Sequence, residues 1–304
     1  MSKLLKYIFL VAIFAYLFIG IDIKELQASI QRVSLNWLLL SMIVVIFSDF
    51  CLALRWRYLS KNECNLLSSF EATTISGLLN FILPARLGEI SKVIYLNKAY
   101  KTRLTIGAQL LIFERSLDIL FLSLLSVYAI IEIYTTLPLE VYLISLFLLI
   151  FFYVLLIKSR MIRKIFLRIF PRKISNFLIK VLLELDKQIS VKNFFISLIM
   201  TFLVWTSFFL ITFTFFHYVV NLNFLFHEIL LIFTVSSIAM SIPFAPGGVG
   251  VYQAGMIFAL SHYGYSHSEG LSFGLLLHLI LLVPSVIVAL IVLSRKNLRI
   301  KSFV

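Results

Sequence analysis

Two short polar stretches interrupt this chain of 304 residues: LPARLGE at residues 83–89 and PFAPGGVGVYQ at residues 243–253. Proline and glycine break helices, and a broken helix inside a bilayer is stable only where protein or water surrounds the freed backbone groups. Two such breaks at corresponding places in two half-chains are typical of transporters that bind a polar ligand within the membrane. The two stretches therefore decide which fold and which function we expect.

The composition predicts a membrane protein. Hydrophobic residues make up 61% of the chain, charged residues only 13%, and the mean hydropathy is +1.04. A soluble domain of this size could not bury that much apolar surface. We expect one integral membrane domain over residues 1–304, of the all-α polytopic class. The net charge of +13 then indicates cytoplasmic loops and not a nucleic-acid partner.

Continuous apolar runs predict about six full spans, and the two interrupted regions add two broken or re-entrant hairpins. This gives six to eight crossings. No small-residue cleavage site follows the first run, so we expect an uncleaved span and not a signal peptide. The predicted spans are 4–21, 35–54, 106–131, 140–157, 194–217 and 271–293, and the interrupted regions are about 68–97 and 228–265.

The basic residues concentrate in five stretches, which the positive-inside rule places in the cytoplasm. This count includes Arg55 and Lys92 as cytoplasmic bases. The connections between the other spans are neutral or acidic, so both termini are expected on the cytoplasmic side of the cell membrane. The basic stretches are residues 3–6, 55–64, 85–103, 158–192 and 295–301.

The predicted topology divides into two halves, residues 1–135 and 136–304. Each half has two spans, a broken hairpin and one further span, and the halves start on opposite faces, which is the pattern of an inverted repeat. Pro84 and Gly88 match Pro246 and Gly250 at an offset of 162 residues. A Pro-x-x-x-Gly match also arises by chance, so both interpretations stay open.

The segment 158–192 is basic and also carries apolar residues at helical spacing. This pattern favours helices that lie on the inner leaflet with their bases at anionic headgroups. The alternative is an ordinary basic loop that fixes the orientation of the protein. An ordinary loop would account for the basic residues but not for the apolar residues at helical spacing.

Ionisable residues inside membrane segments are costly, so each is a candidate for function. Glu114 and Asp118 are four residues apart and share one helix face with Arg115. We expect this group to line a substrate path or to form a buried ion pair that fixes the helices. Four histidines near the predicted outer face lack the spacing of metal ligands, which argues against a metal site: His217, His227, His262 and His267.

Arg86 and Glu89 flank Gly88 at the first break. Arginine binds phosphate in a bidentate manner, and a helix that starts after a break offers free N–H groups. The first break therefore predicts a site for a lipid phosphate, unless Arg86 and Glu89 only pair with each other at the hairpin tip.

The second break contains Pro246, Gly247, Gly248 and Gly250, whose glycines permit positive φ and close approach of the backbone. It either forms the opposite side of a binding site or a tight turn between two spans. Further polar residues in apolar surroundings are Asp49, Asn80 and Gln253. No nucleotide-binding or hydrolase motif is present, so we predict no cofactor.

The order of these motifs resembles the lysylphosphatidylglycerol synthase transmembrane region, also called the flippase-like domain family, over nearly the whole chain. The resemblance implies a module that moves lipids between leaflets. In the synthases a separate cytoplasmic domain makes the lipid, and we expect none in a sequence that ends at Val304, hence no enzymatic activity. The residues that carry the resemblance are Arg55-Trp56, Gly77 to Asn80, Leu83 to Glu89, Glu114-Arg115-x-x-Asp118 and Pro246-Gly247-Gly248-x-Gly250.

The family often has Glu at the position of Gln253. If that Glu carries a proton or contacts a cationic headgroup, the resemblance implies a different coupling or substrate here. The main hypothesis is a flippase or transporter for a phospholipid or a polyprenyl-phosphate-linked lipid, in which Arg86 binds phosphate. The alternative is a non-catalytic membrane partner or regulator of a glycosyltransferase or lipid-modifying enzyme. An intramembrane enzyme acting on a polyprenyl phosphate is a third interpretation, which no recognisable nucleophile supports.

Overall fold

The computed structural model describes residues 22–60, 63–83, 86–133, 191–242 and 246–296, with the single positions 140, 143 and 176. These residues form nine α-helices, and there is no strand among them. The protein is therefore an all-α polytopic membrane protein, which confirms the predicted class. The predicted spans 4–21 and 140–157 and the basic segment 158–192 lie outside the described ranges.

Four helices of the described residues are long and apolar enough to cross a membrane: α2, α5, α6 and α9. They confirm the predicted spans 35–54, 106–131, 194–217 and 271–293. Helix α6 continues through a π-helical turn to Val219. In chain order the helices are α1 Ile23–Gln31, α2 Leu35–Leu59, α3 Leu66–Ile82, α4 Gly88–Tyr100, α5 Leu104–Ile133, α6 Val191–Thr214, α7 Phe226–Ser241, α8 Val251–Ser261 and α9 His267–Arg295.

The four helices of the two interrupted regions are too short to span a bilayer. Helices α3 and α4 have 17 and 13 residues, and α7 and α8 have 16 and 11. At about 1.5 Å per residue none reaches the roughly 30 Å of the hydrocarbon core. Helix α3 packs against α4, and α7 against α8. The lengths therefore favour re-entrant hairpins over pairs of full spans.

Proline explains where the first helix of each hairpin ends. Leu83 and Ile242 each precede a proline and adopt extended backbone, with ψ of 139° and 116°. The proline ring disfavours helical backbone in the preceding residue, so α3 and α7 stop there. After each proline the chain turns through a residue with positive φ, Arg86 at 55° and Gly248 at 73°.

The helices follow the same order in both halves of the chain. A shift of 162 residues, the offset seen in the sequence, moves α4 and α5 onto residues 250–262 and 266–295, almost coincident with α8 and α9. The same shift relates Arg86 to Gly248, and both have positive φ. This agreement supports the predicted repeat, which stays a prediction.

Contacts at the helix ends agree with the predicted topology, because they join segments that the charge pattern places on the same face of the membrane. At the predicted outer end the Tyr128 hydroxyl donates to the carbonyl of His227 at 3.0 Å. At the predicted inner end the carboxylate of Glu71 accepts from Tyr95, Tyr100 and Lys296. Partial burial lowers the pKa of Lys296, but its contacts with Glu71 and Tyr100 outweigh this and raise the pKa above its usual value.

Gly88 tests the packing of the first hairpin. A Cβ at Gly88 would lie 2.4 Å from both the Asn80 nitrogen and the Ser76 oxygen, which are backbone atoms that cannot move aside. We expect Gly88→Ala to destabilise the protein by about 1–3 kcal/mol or more, measured by thermal unfolding in detergent. The control is Gly77→Ala, whose Cβ would meet Ser285 at an ordinary 3.7 Å. Equal melting temperatures for the two variants would contradict this packing.

Candidate functional site

The first hairpin brings the chain break against the middle of α5. Helix α4 starts at Gly88, which is buried against α3, and this places Glu89 and Lys92 on the side that faces α5. Arg86 stands just before the helix start, with its side chain 37% exposed. Charged groups of α2, α4 and α5 therefore lie close together beside this break.

Arg55 of α2 lies at the centre of this charged network. Its guanidinium contacts the Glu114 carboxylate at 2.7 Å and the Asp118 carboxylate at 2.6 Å, and it donates to the Thr201 hydroxyl of α6 at 3.2 Å. The Arg55 side chain is 1% exposed. Such a charge is stable in the membrane only while its partners stay in place, so these contacts hold α2, α5 and α6 together.

Lys92 is the second enclosed cation. Its ammonium lies 3.4 Å from the second carboxylate oxygen of Glu114 and 3.9 Å from the ring centre of Trp56. The side chain is 5% exposed. An ion pair together with a cation–π contact compensates for the lost hydration, and ties α4 to both α2 and α5.

Arg115 and Arg86 form the accessible part of the network. The Arg115 guanidinium contacts Glu89 at 3.0 Å and Asp118 at 2.9 Å, and its side chain is 32% exposed. Arg86 lies 3.8 Å from the same oxygen of Glu89. Two guanidinium groups therefore share one carboxylate oxygen. A guanidinium has five N–H donors, which is more than these contacts use.

The two chain breaks contact each other. Arg86 donates to the carbonyl of Met240 in α7 at 3.1 Å. Gly247 packs on Phe81 so closely that a Cβ at this position would lie 2.7 Å from the Phe81 ring, and its φ of 62° also favours glycine. The tip of each hairpin thus lies against the other, within reach of the charged network.

A closed set of hydrogen bonds fixes the second break. The Gly250 N–H donates to the Gln253 amide oxygen at 2.7 Å, so the amide nitrogen must face His278, at 3.0 Å from its Nδ1. Nδ1 therefore accepts, and Nε2–H donates to the carbonyl of Gly247 at 2.9 Å. Both ends of the buried Gln253 amide are used by the fold.

The sequence profile of one family, described as the lysylphosphatidylglycerol synthase TM region, matches residues 3–289. The chain belongs to this family. This is the family that the sequence motifs resemble. The matched range includes every residue of the charged network. No curated protein and no solved structure matches the chain.

Within this family fold, the residues proposed from the sequence fall into two groups. Those of the first half meet in one network: Arg86, Gly88, Glu89, Glu114, Arg115 and Asp118. Those of the second half form the facing turn: Pro246, Gly247, Gly248 and Gly250. Gln253 belongs to neither surface, because it is 2% exposed and bonds to Gly250 and His278.

Sequence reasoning missed three members of the site. The positive-inside count treats Arg55 and Lys92 as loop bases, but the structure places both within helices and buries them. The stretches 55–64 and 85–103 stay basic without these two residues, so the predicted orientation is unaffected. His278 was overlooked although it is a polar residue in the middle of an apolar span, which is itself a signal of function.

Other polar residues noted in the sequence lie outside this network. Asp49 of α2 accepts from the Ser285 hydroxyl of α9 at 2.6 Å and is 7% exposed. The Asn80 side-chain oxygen is buried and has no hydrogen-bond partner among the described residues. Of the predicted outer histidines, His227 lies 3.5 Å from Glu132. Across the described residues no group of three or more metal-ligating side chains occurs.

Removing Arg55 tests whether the network holds the helices of this family member together. Arg55→Leu leaves the buried Glu114 carboxylate and the partly buried Asp118 carboxylate with fewer cations, so we expect it to lower the free energy of unfolding by about 3–5 kcal/mol. The control is Arg103→Leu, which removes an exposed ion pair with Glu63 and should cost less than about 1 kcal/mol. Unfolding in detergent measures both, and similar losses would refute the structural role of Arg55.

Gln253 offers a test of the hydrogen bonds at the second break. Gln253→Leu leaves the Gly250 N–H and the His278 Nδ1 unpaired, at a cost of about 1–3 kcal/mol for each buried group. Gln253→Glu keeps the acceptor for Gly250 and should be intermediate. Gln109→Leu is the control, because Gln109 is buried and its amide nitrogen has no partner among the described residues. If Gln109→Leu is the more damaging change in thermal unfolding, this assignment fails.

Proposed function

We propose that this protein moves a phosphate-bearing lipid between the two leaflets of the cell membrane. The phosphate binds to Arg86 and Arg115 where the two hairpin tips meet, while the acyl chains stay in the surrounding lipid. Membership of a family of lipid-related membrane modules supports this function. Both termini on the cytoplasmic side, as the charge pattern predicts, are part of the same proposal.

The observation that carries the proposal is the position of Arg86. It contacts Glu89 in the first half and the Met240 carbonyl in the second half. Separation of the hairpin tips would break the contact with Met240 and free these guanidinium donors for a headgroup. A phosphate that enters between the tips would then take the place of the carbonyl oxygen, which links ligand binding to movement of one half against the other.

The enclosed and accessible ion pairs have separate tasks in this mechanism. Arg55, Lys92 and Glu114 are at most 5% exposed and bond to one another, so they hold α2, α4 and α5 in one rigid unit. Arg86 and Arg115 are the partly exposed cations and supply the binding surface. The transport role requires no covalent chemistry of the protein, so we propose that it is not an enzyme.

Reconstituted liposomes test the proposal. Phosphatidylglycerol with a fluorescent acyl chain is incorporated, and the lipid that reaches the outer leaflet is measured by quenching with a membrane-impermeant reductant. We expect the protein to accelerate exchange over empty liposomes, and Arg86→Gln to slow it about tenfold or more, because a charge-assisted hydrogen bond contributes about 1.5–3 kcal/mol.

Two controls separate binding from folding. Arg103→Gln removes an exposed arginine outside the network and should leave exchange unchanged. Arg86→Lys keeps the charge and should retain part of the activity. Exchange by the wild type no faster than in empty liposomes, or equal to that of a folded Arg86→Gln, would refute the transport role. Co-purification of a stoichiometric enzyme without lipid exchange would instead favour the role of a membrane partner.

A further inference from the structure

We propose that Asp49 is a proton-binding site, and that a proton bound there loosens the contact between α2 and α9. The site is separate from the lipid site at Arg86 and Arg115. Its effect on lipid movement rests on the proposed function and deepens it, because the proton is a second ligand that controls the movement.

Asp49 is a buried carboxylate without a cation in direct contact among the described residues. It is 7% exposed, and Ser285 Oγ donates a hydrogen bond to it at 2.6 Å. By contrast, Glu89, Glu114 and Asp118 each lie within 3.0 Å of an arginine. An ionised carboxylate in apolar surroundings is costly without such a partner, and a neutral one is much less so. Asp49 is therefore the position in this region where a proton can replace a missing cation.

The surrounding helices add little charge at this position. Lys92 of α4 interacts with Asp49 electrostatically, but its ammonium contacts Glu114 at 3.4 Å. From α9 the group that faces Asp49 is the neutral Ser285. Other ionisable residues of α2 and of the helices packed on it are bonded elsewhere or lie near helix ends: Arg55 and Arg57 of α2, Glu71 of α3, Lys192 of α6, and His267, Glu269, His278 and Arg295 of α9.

Ser285 can serve both protonation states of Asp49, because a hydroxyl donates one hydrogen bond and also accepts. With an ionised Asp49 it donates to the carboxylate, as in the structure. With a protonated Asp49 it would accept the carboxyl proton and donate its own to the Leu281 carbonyl one turn earlier, as serine does within helices. Neither state leaves the pair without a hydrogen bond, so the proton can bind and leave at this site.

The contact with Asp49 lies beside a weak point of α9. Pro284 directly precedes Ser285 within the helix. Proline has no N–H, so the carbonyl of Ile280, four residues earlier, lacks its helical donor and the helix bends more easily here. The hydrogen bond between Asp49 and Ser285 therefore holds α9 at the position where it can bend.

Helix α9 packs on both hairpins, on either side of this proline. Before the proline, Gly274 lies so close to α8 that a Cβ there would be 3.1 Å from the Met256 Cβ. After the proline, Lys296 at the end of the helix contacts Glu71 of α3 at 2.8 Å. A bend at Pro284 would thus move the second hairpin against the first.

Protonation of Asp49 weakens the contact that opposes this bend. A charge-assisted hydrogen bond is roughly twice as strong as a neutral one, and a proton on Asp49 converts the first kind into the second. The bend at Pro284 then becomes easier, and the hairpin tips at Arg86 and Met240 separate more often. The inference therefore has a sign, because lipid movement should become faster as the pH falls.

Infrared difference spectroscopy of the purified full chain tests the proton site without a transport measurement. Spectra at about pH 8 and about pH 5.5 are compared, because exposed carboxyls with ordinary pKa values near 4 stay ionised over this range. We expect wild type to gain the carbonyl stretch of a carboxylic acid at the lower pH, and Asp49→Asn to lose this change. Glu63→Gln, which removes the carboxylate of an exposed ion pair with Arg103, is the matched control and should keep it.

Lipid exchange at the same two pH values tests the effect on movement, with empty liposomes as the baseline at each pH. We expect wild type to be about fivefold or more faster at the lower pH, since the contact loses about half of its strength. Asp49→Asn imitates the neutral acid and should be fast at both values. Glu63→Gln should keep the wild-type response.

Ser285→Ala tests the partner of the proton site and keeps Asp49 itself. The ionised carboxylate then loses its hydrogen-bond donor, so the carboxylic acid signal should appear at a higher pH than in wild type. Ser272→Ala is the control, because Ser272 is buried in the same helix and bonds to the Ser268 carbonyl. This comparison decides the case if Asp49→Asn does not fold.

The outcomes separate this inference from the transport role. Absence of the carboxylic acid signal in wild type, or its persistence in a folded Asp49→Asn, would overturn the proton site. An Asp49 signal combined with pH-independent exchange would overturn its control of α9. An Asp49 signal in a protein that exchanges no lipid at either pH would support the proton site and refute the transport role.

Discussion

Burial of the Arg55 guanidinium between two carboxylates is the interaction on which the rest of the structure depends. In a medium of low dielectric, none of these charges can be left without its partner, so the helices that carry them must stay in register. Arg55 joins α2 to α5 directly and reaches α6 through Thr201. Arg115 follows Glu114 directly in helix α5, and its guanidinium contacts Glu89 of the first hairpin. Arg115 is consequently positioned by contacts with Glu114 and Asp118, which Arg55 holds in place.

The features that could be predicted from the sequence are those that local chemistry determines. Long apolar runs predict α2, α5, α6 and α9, because only a continuous helix satisfies its backbone in lipid. Proline predicts the ends of α3 and α7 through its effect on Leu83 and Ile242. The spacing of Glu114 and Asp118 predicts a shared helix face, which the structure shows to be turned towards Arg55.

Tertiary partners could not be predicted in the same way. The positive-inside rule counts Arg55 and Lys92 as loop bases because both fall in basic stretches of the sequence, and it contains no term for a carboxylate on another helix. Lys92 follows Glu89 by three residues, so a helical reading of this segment would have placed the two on one face. His278 meets Gln253 only because α9 packs on α8, a contact between residues 25 positions apart that no local pattern indicates.

The two halves share an order of helices but not their chemistry. Every ionised group of the network lies before residue 135, and the positions 162 residues after Glu114, Arg115 and Asp118 are Leu276, Leu277 and Ile280. A motion of the second half past an intact first half would therefore carry none of the network's charges through the electric field of the membrane. The membrane potential would act on the charge of the headgroup alone, with about 2.3 kcal/mol per elementary charge per 100 mV. For a singly negative headgroup, a potential that is negative inside would drive the lipid towards the outer leaflet.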